Sequence, residues 1–176
     1  ETSIANNSIL CAAVWVEDMI DGSRRVYEYR GAEDLIMEHM TAMVRNEDPD
    51  IITGYNIDNF DFPRLVERMD HHTSRKQWQA RSNLLGWGRT PHLETECNRT
   101  RTGVLPRRQS NRAWNLAGRA VVDAWWQARQ ALRPQRETLS FIARLLFPEE
   151  EDKQKIDIDA SNMDEEWANR PDEVME

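Results

Sequence analysis

The chain opens with two stretches of β-type pattern followed by one of helical pattern. Residues 8–17 form an almost continuous apolar run, SILCAAVWVE, whose β-branched and aromatic members predict a buried strand. The pair Asp21-Gly22 signals a hairpin turn, and the alternation in residues 25–30 predicts the partner strand. In residues 32–45 apolar side chains recur at helical spacing, which predicts an amphipathic helix with methionines as core filling.

A further strand and helix follow the first helix. Residues 50–56, DIITGYN, predict a short strand that stops at Gly54. Residues 62–69 predict a helix, because Pro63 stands where helices commonly begin. Residues 54–65, GYNIDNFDFPRL, are therefore a strand-to-helix junction, and α/β folds place their chemistry at such strand ends.

The remainder contains one more strand, one more long helix and an irregular middle. Residues 118–126, GRAVVDAWW, predict the strand, and residues 137–147 predict the helix, with Thr138 as its cap. Residues 70–117 mix Gly, Pro, Arg and Trp, and fit either a small hairpin or a basic loop; a short helix is expected near the end. We therefore predict a single α/β domain over residues 1–176, with a mixed sheet flanked by helices that suits a ribonuclease-H-like fold.

The net charge of −8 hides an uneven distribution along the chain. Residues 71–119 hold ten Lys and Arg against two Asp and Glu, whereas residues 149–176 hold three against twelve. The overall acidity argues against a nucleic-acid binder, but the basic middle argues for one. Both segments also fit ordinary solvated loops.

The cysteines, the first residues and the apolar runs show no sign of a zinc site, a secretion signal or a membrane span. Cys11 and Cys97 form no zinc pattern, and they fit a buried thiol and a loop thiol in a reducing compartment. The first ten residues lack the basic start of a signal peptide. No apolar run approaches the ~20 residues of a membrane span. The abrupt start, within what reads as a strand, suggests a piece of a longer chain.

The junction at residues 54–65 carries the candidate chemistry. Its pattern, Asn-x3-Phe-Asp-x-Pro, fixes the carboxylate of Asp61 at the end of a strand with the ring of Phe60 beside it. One carboxylate cannot hold the ions that cleave a phosphodiester, since two metals about 4 Å apart need several carboxylates from different elements. Asp61 therefore predicts partners elsewhere in the chain.

The same junction resembles the second exonuclease motif of family B DNA polymerases, whose common form is G-(Tyr/Trp)-N-x3-F-D-x-P-Y-L. Four other segments resemble that family in the same order: NEDPDIIT before the junction, and GRAVVDAWW, ETLSFIARLLF and KQKIDID after it. Arg64 stands where the family usually has tyrosine. The short elements are similar to those of archaeal replicative polymerases.

The resemblance implies the fold and the activity of a DEDDy 3′→5′ exonuclease. Such a proofreading domain removes a mispaired nucleotide from the 3′ end of a primer by hydrolysis with two metal ions, Mg²⁺ or Mn²⁺. The implied partners are the single-stranded primer end and the polymerase domains of the same parent chain, with no membrane. The implied compartment is the cytoplasm of an archaeon or bacterium, or the nucleus of a eukaryote. A catalytically inactive DNA-binding domain and a free-standing nuclease of the same fold remain alternatives.

The resemblance also implies the catalytic metal ligands. Asp61 belongs to the second motif, and Glu1 fits the end of a first motif, D-x-E; both would be catalytic and bind metal. The first-motif Asp would lie just before Glu1 and the third-motif Tyr-x3-Asp just after Glu176, so this piece alone is expected to be nearly inactive. Without the family, Asp61 reads as a helix cap and Glu1 as a frayed terminal residue.

Other residues of the junction have implied contacts with DNA. Asn56 and Phe60 would touch the last nucleotides of the primer, the latter by stacking. Tyr55 and Arg64 would bind the DNA beside them. The alternatives are turn chemistry for Asn56 and core packing for Phe60.

Five further polar residues receive no role as metal ligands. Asp123, which follows an apolar strand, is expected to support the site without binding metal. Asp58 and Asn59 are interpreted as turn residues. Asp157 and Asp159 are expected to be solvated.

The histidines and tryptophans show no spacing typical of a metal site. All four histidines are expected at the surface: His39, His71, His72 and His92. Two tryptophans are expected to end a core strand: Trp125 and Trp126. Those of the basic middle either stack on single-stranded DNA or pack into a small cluster: Trp78, Trp87 and Trp114.

Overall fold

The computed structural model contains six strands and six helices within the residues that it describes. These residues are 1–76, 87–89, 96–99, 112–148 and 158–175. The strands are β1 Cys11–Glu17, β2 Arg24–Arg30, β3 Ile51–Gly54, β4 Glu96–Arg99, β5 Arg112–Asn115 and β6 Ala120–Asp123. The helices are α1 Glu33–Glu47, α2 Asp61–Lys76, α3 Ala124–Leu132, α4 Leu139–Leu146, α5 Met163–Asn169 and α6 Pro171–Met175. None of these helices is both long enough and apolar enough to cross a membrane.

The chain divides into two compact units, each assembled from separated segments. The first unit comprises Glu1–Pro49, Arg68–Gln79 and Ile156–Glu176. The second unit comprises Asp50–Glu67 and Ala80–Lys155. The chain thus enters each unit more than once, and the expectation of a single domain stays a prediction.

An antiparallel hairpin of β1 and β2 begins the first unit. Its register runs from Cys11 opposite Arg30 to Glu17 opposite Arg24, which confirms the predicted strand pairing. Side chains alternate between covered and exposed along β1: Cys11 is buried, whereas Trp15 is 59% exposed with the guanidinium of Arg24 over its ring. The prediction of a strand buried throughout is therefore wrong, because an apolar run does not reveal whether one face or two are covered.

Helix α1 supplies a large share of the apolar core of the first unit. Glu33 and Asp34 in its first turn suit the positive end of the helix dipole. The helix ends at Asp48, whose φ of 45° is left-handed and whose N–H donates to the carbonyl of Val44 at 3.1 Å. Its buried side chains confirm the predicted helix and the packing role of its methionines: Ile36, Met37, Met40, Met43 and Val44.

Strands β3 and β6 form a parallel pair in the second unit. Their register places Ile51 beside Ala120 and Gly54 beside Asp123, so both strands end at the same edge. A separate antiparallel pair, β4 with β5, falls within residues 70–117, where a small hairpin was one of two predictions. Together with the hairpin of β1 and β2, the described strands form three two-stranded sheets of both senses.

The prediction that Trp125 and Trp126 end a strand is wrong. Strand β6 ends at Asp123, and both tryptophans belong to the first turn of α3. The cause is the side chain of Asp123, which accepts the N–H of Trp125 at 2.9 Å and so caps the helix. Trp125 is buried, with the guanidinium of Arg129 over its ring, and Trp126 is half-buried.

The remaining helices follow the sequence with one extension. Helix α2 begins at Asp61, one residue before the predicted start at residue 62, and continues to Lys76, into the region predicted to be irregular. Helix α4 has Thr138 as its N-cap, whose hydroxyl accepts the N–H of Phe141 at 3.4 Å, which confirms that cap. The short helices α5 and α6 confirm the helical end of the chain.

Candidate active site

The motif loop, defined as residues 54–62, joins the end of β3 to the start of α2. A Cβ atom on Gly54 would lie 3.2 Å from Cδ1 of Ile57, so a side chain at this position would require Ile57 to shift by a few tenths of an ångström. Asn56 has a left-handed φ of 63°, which asparagine tolerates better than most residues. Its carbonyl accepts the N–H groups of Asn59 at 3.1 Å and Phe60 at 3.0 Å. Asn56 therefore performs the turn chemistry that was one of its two predicted roles.

The motif loop separates buried from exposed side chains. Ile57, Asp58 and Phe62 are buried. Phe60 is 44% exposed, and Asp61 is exposed at the first residue of α2. The loop thus presents an accessible aromatic ring and an accessible carboxylate next to each other, on top of a packed base.

Phe62, rather than Phe60, is the core residue of the motif. Its ring stacks on that of Trp114 with the centroids 5.4 Å apart, and it meets Trp87 edge-on at 6.1 Å. Phe62 and Trp87 are buried. Trp87 and Trp114 therefore pack as a small cluster around the ring of Phe62, which was one of the two predictions for the tryptophans of the basic middle. The indole N–H of Trp114 also donates to the carbonyl of Asp58 at 3.0 Å, which fastens the cluster to the motif loop. Trp78 lies outside the described residues.

Asp123 holds the motif loop from the end of the neighbouring strand. It is 5% exposed, and its Oδ1 accepts the N–H groups of Asn56 at 2.8 Å and Trp125 at 2.9 Å. Its Oδ2 accepts the N–H of Asp58 at 3.2 Å. Charge-assisted bonds of this type are stronger than neutral ones. One carboxylate therefore joins β6, the motif loop and the start of α3.

Asp58 lies in a turn, as the sequence predicted, but its side chain is buried there. It is 6% exposed, and among the described residues its Oδ1 has no hydrogen-bond partner. Burial, and after it the negative charge of Asp123, raise the pKa of Asp58 to about 6, although a hydrogen bond from Trp114 acts in the opposite direction. A run of polar residues in a turn gives no signal for this burial.

Two residues with predicted DNA contacts have protein partners in the structure. The hydroxyl of Tyr55 donates to the carbonyl of Glu137 at 2.5 Å, which ties the motif loop to the segment before α4. The guanidinium of Arg64 forms an ion pair with Glu67 at 2.9 Å, one turn along α2. An exposed pair of this kind contributes little to stability, so Arg64 can exchange partners at little cost. Contacts of both residues with DNA stay predictions.

Glu1 lies in the first unit, on a short ladder of backbone hydrogen bonds. Its nitrogen donates to the carbonyl of Cys11 at 2.8 Å, and its carbonyl accepts the N–H of Leu10 at 3.0 Å. Thr2 pairs with Ile9 in the same ladder. The backbone of Glu1 is thus fixed rather than frayed, and its side chain is exposed.

The carboxylates do not form a ready metal centre in the part of the chain that the structure describes. No group of three or more His, Cys, Asp or Glu side chains there has the geometry to hold an ion. Asp61 belongs to the second unit and Glu1 to the first. Both residues are exposed, and carboxylate oxygens are the ligand type that Mg²⁺ and Mn²⁺ prefer.

The histidines give one correction. His39 is exposed on α1 as expected, and His92 lies outside the described residues. His72 is not a free surface residue, because its Nε2 lies 2.7 Å from a carboxylate oxygen of Glu33. His71 is half-buried beside it, with the two rings edge-on at 5.4 Å. Asp159 caps a 3₁₀ turn from the surface, and Asp157 is outside the described residues.

Comparison with known families settles what kind of domain this is. A model of the family described as DNA polymerase family B, exonuclease domain, matches residues 12–142. The chain belongs to this family. The matched segment contains the motif loop, Asp61 and Asp123, and the resemblance found in the sequence is confirmed.

Individual relatives match smaller parts of this exonuclease domain. It is 54% identical over 39 residues to the DNA polymerase delta catalytic subunit of Drosophila melanogaster. The aligned segment covers 22% of this chain and 4% of that protein. The domain is 50% identical over 44 residues to the same subunit of Bos taurus, and this aligned segment covers 25% of this chain and 4% of that protein. The chain therefore matches only a small fraction of the length of these relatives.

A solved structure confirms the fold of the exonuclease domain. The family B DNA polymerase from the hyperthermophilic archaeon Pyrobaculum calidifontis matches with a TM-score of 0.56 and 23% sequence identity. The match covers 90% of this chain and 18% of that chain. The predicted α/β, ribonuclease-H-like exonuclease fold is thus confirmed, and the archaeal source stays a prediction.

Proposed function

We propose that this domain is the 3′→5′ proofreading exonuclease of a family B DNA-directed DNA polymerase. Its substrate is the single-stranded 3′ end of a mispaired primer, and its reaction is hydrolysis of the terminal phosphodiester with two divalent ions, Mg²⁺ or Mn²⁺. The proposal rests on the exposed carboxylate of Asp61, beside the half-exposed ring of Phe60, on a loop that Asp123 holds in place. Membership of the family supports the same function.

The proposed site uses Asp61 and Glu1 as metal ligands. Bound ions would supply a deprotonated water and neutralise charge on the phosphate oxygens. The carboxylates of Asp61 and Glu1 would hold the ions, and bound ions would reverse the local sign of charge for the phosphate, so the net charge of −8 is compatible with an anionic substrate. The partners are the primer end and the polymerase domains of the parent chain, and the compartment is the one in which that polymerase works.

The motif loop would position the primer. Phe60 offers an exposed ring next to Asp61, and stacking on an aromatic ring is worth about 1–3 kcal/mol per base. Arg64 stands three residues after Asp61 on α2, which puts it on the same helix face, so its guanidinium can reach a phosphate by leaving Glu67. Asn56 and Tyr55 would act chiefly by shaping the loop, with contacts to the terminal nucleotide as their further role.

A second candidate function is a DNA-binding exonuclease-like domain without catalysis. It requires only the half-exposed ring of Phe60 and the guanidinium of Arg64, both described in the structure, and no metal ligands. Such a domain would bind the primer end through Phe60 and Arg64 and leave it intact. The two functions therefore differ in excision, while both predict binding.

The test is excision of a mispaired 3′ nucleotide by the full-length parent protein carrying Asp61→Ala. We expect excision to fall at least about 10²-fold, because loss of a direct ligand should exceed the 10–100-fold effect typical of partners that only orient ligands. Addition of nucleotides to a paired primer should be unchanged. The matched control is Glu38→Ala, which removes an exposed carboxylate from α1. Absence of excision in the unmodified protein would favour the second candidate, and an Asp61→Ala variant that excises normally would contradict the first.

A further inference from the structure

A partly buried ion-pair network surrounds Glu33, the first residue of α1. The side chain of Glu33 is 10% exposed, and that of Arg68 on α2 is 13% exposed. The guanidinium of Arg68 donates from Nε to Oε1 at 2.7 Å and from a terminal nitrogen to Oε2 at 2.6 Å. This two-point geometry fixes the orientation of both side chains.

Two further groups complete the network. Nε2 of His72 lies 2.7 Å from Oε2 of Glu33, and the four-residue spacing of Arg68 and His72 puts both on one face of α2. The N–H of Ile9 donates to Oε1 at 2.7 Å. Burial alone would raise the pKa of Glu33, but the hydrogen bonds from Arg68, His72 and Ile9 outweigh it and lower the pKa to about 2. Glu33 is therefore ionised at any pH at which the protein works.

The contact with Ile9 connects this network to Glu1. Ile9 lies opposite Thr2 in the short ladder. The hydrogen bonds of the ladder are formed by the neighbours of this pair: the N–H of Leu10 donates to the carbonyl of Glu1, and the N–H of Ser3 donates to the carbonyl of Ser8. The N–H of Ile9 consequently points away from the ladder, and Glu33 is the acceptor that it meets. Ile9 is 6% exposed, so without Glu33 this N–H would be buried without a partner.

We propose that Glu33 is a positioning residue for Glu1. It holds, through Ile9, the segment that carries the Glu1 carboxylate, and it is itself locked by Arg68 and His72. The inference rests on the proposed function, in which Glu1 binds a catalytic ion. A displacement of about 1 Å in a catalytic group can reduce a rate by about 10²-fold, so the position of this segment matters for excision.

The test is a Mn²⁺ titration of the full-length protein carrying Glu33→Gln, followed by electron paramagnetic resonance to measure Mn²⁺ binding and, separately, by the rate of excision. We expect the half-saturating Mn²⁺ concentration to rise by roughly 10-fold or more, as is typical when a group that orients a ligand is lost. Nucleotide addition should be unaffected. A residue that only stabilised the fold would lower the amount of active enzyme without changing the Mn²⁺ concentration required.

The matched control is Glu47→Gln at the other end of α1. Glu47 is likewise an ion-paired carboxylate, bound to Arg25 of β2 at 2.5 Å, and its second oxygen accepts the hydroxyl of Tyr27 on the same strand. It should therefore cost stability and leave the Mn²⁺ dependence unchanged. Should Glu33→Gln fail to fold, Arg68→Lys keeps the charge but loses the two-point contact, and a smaller shift in the same direction is expected.

The outcomes distinguish failure of the positioning role of Glu33 from failure of the proposed exonuclease function. Loss of excision in Asp61→Ala, with an unchanged Mn²⁺ dependence in Glu33→Gln and Arg68→Lys, would overturn the positioning role alone. Normal excision in Asp61→Ala would overturn the proposed function first. A shift in Glu47→Gln as large as in Glu33→Gln would also overturn the positioning role, because general loosening of α1 would then explain both.

Discussion

At the scale of single residues, the motif loop depends on two carboxylates with opposite circumstances. Asp123 accepts three backbone N–H groups, whereas Asp58 is buried next to it with one oxygen that has no partner among the described residues. A charge without partners is costly in the interior, and the raised pKa of Asp58 expresses that cost. The loop that presents Asp61 therefore contains a group that favours its protonated form.

Protonation of Asp58 gives a prediction for stability against pH. Its pKa rises from 3.8 to about 6 on folding, so the folded protein binds this proton more tightly than the unfolded chain does. The contribution of protonated Asp58 to the free energy of unfolding is fully present below pH 3.8 and is lost as the pH rises through about 6. We expect Asp58→Asn, which cannot ionise, to be more stable than the unmodified protein at pH 8 by about 1–3 kcal/mol, and to lose this advantage near pH 4.

Denaturant unfolding of both proteins between pH 4 and pH 8 measures this difference. Glu38→Gln serves as the control, because it removes an exposed carboxylate far from any such burial and should leave the pH dependence as it is. Parallel curves for Asp58→Asn and the unmodified protein across that range would show that Asp58 does not titrate as described.

At the scale of elements, three consecutive residues around the start of α2 differ in their exposure to solvent. Phe60 precedes the helix with a half-exposed ring, Asp61 opens it with an exposed carboxylate, and Phe62 buries its ring completely. The same helix later supplies Arg68 and His72 to Glu33. The start of α2 thus carries the residues proposed to contact the substrate, and its later turns carry the partners of Glu33 within the first unit.

The two phenylalanines of the motif give a paired prediction. We expect Phe62→Ala to destabilise the protein by about 3–5 kcal/mol, the usual cost of removing a buried aromatic ring. Phe60→Ala should cost less than about 1 kcal/mol, but it should weaken binding of a single-stranded 3′ end by about 1–3 kcal/mol. Thermal unfolding and a fluorescence titration with a labelled oligonucleotide measure the two effects. Equal losses of stability, or unchanged binding in Phe60→Ala, would contradict the division of roles.

The sequence predicted the elements better than it predicted their environment. Helical spacing located α1, and alternation located β2, since periodicity reflects which side of an element faces the core. It failed at Trp125, because β-type residues continue past Asp123 and only the capping contact of that side chain starts the helix. At Asp58 the sequence predicted the turn but gave no sign that this side chain is buried.

At the scale of the whole molecule, the family and the fold are established and the catalytic state is a proposal. The family match includes Asp61 but begins after Glu1, so the two proposed ligands have unequal support. The motif around Asp61 was specific enough to predict the family from the sequence. A single residue such as Glu1 carries no such signal by itself, and the ladder that fixes its backbone is visible only in the structure.

The most direct test of the central claim is a Mn²⁺ titration of the full-length protein followed by electron paramagnetic resonance. The difference between the unmodified protein and Asp61→Ala isolates the ions that depend on this carboxylate, and Glu38→Ala controls for the general loss of negative charge. The account predicts that Asp61→Ala binds fewer ions, or binds them at least about 10-fold more weakly, while Glu38→Ala matches the unmodified protein. Identical titrations for all three proteins would contradict Asp61 as a metal ligand.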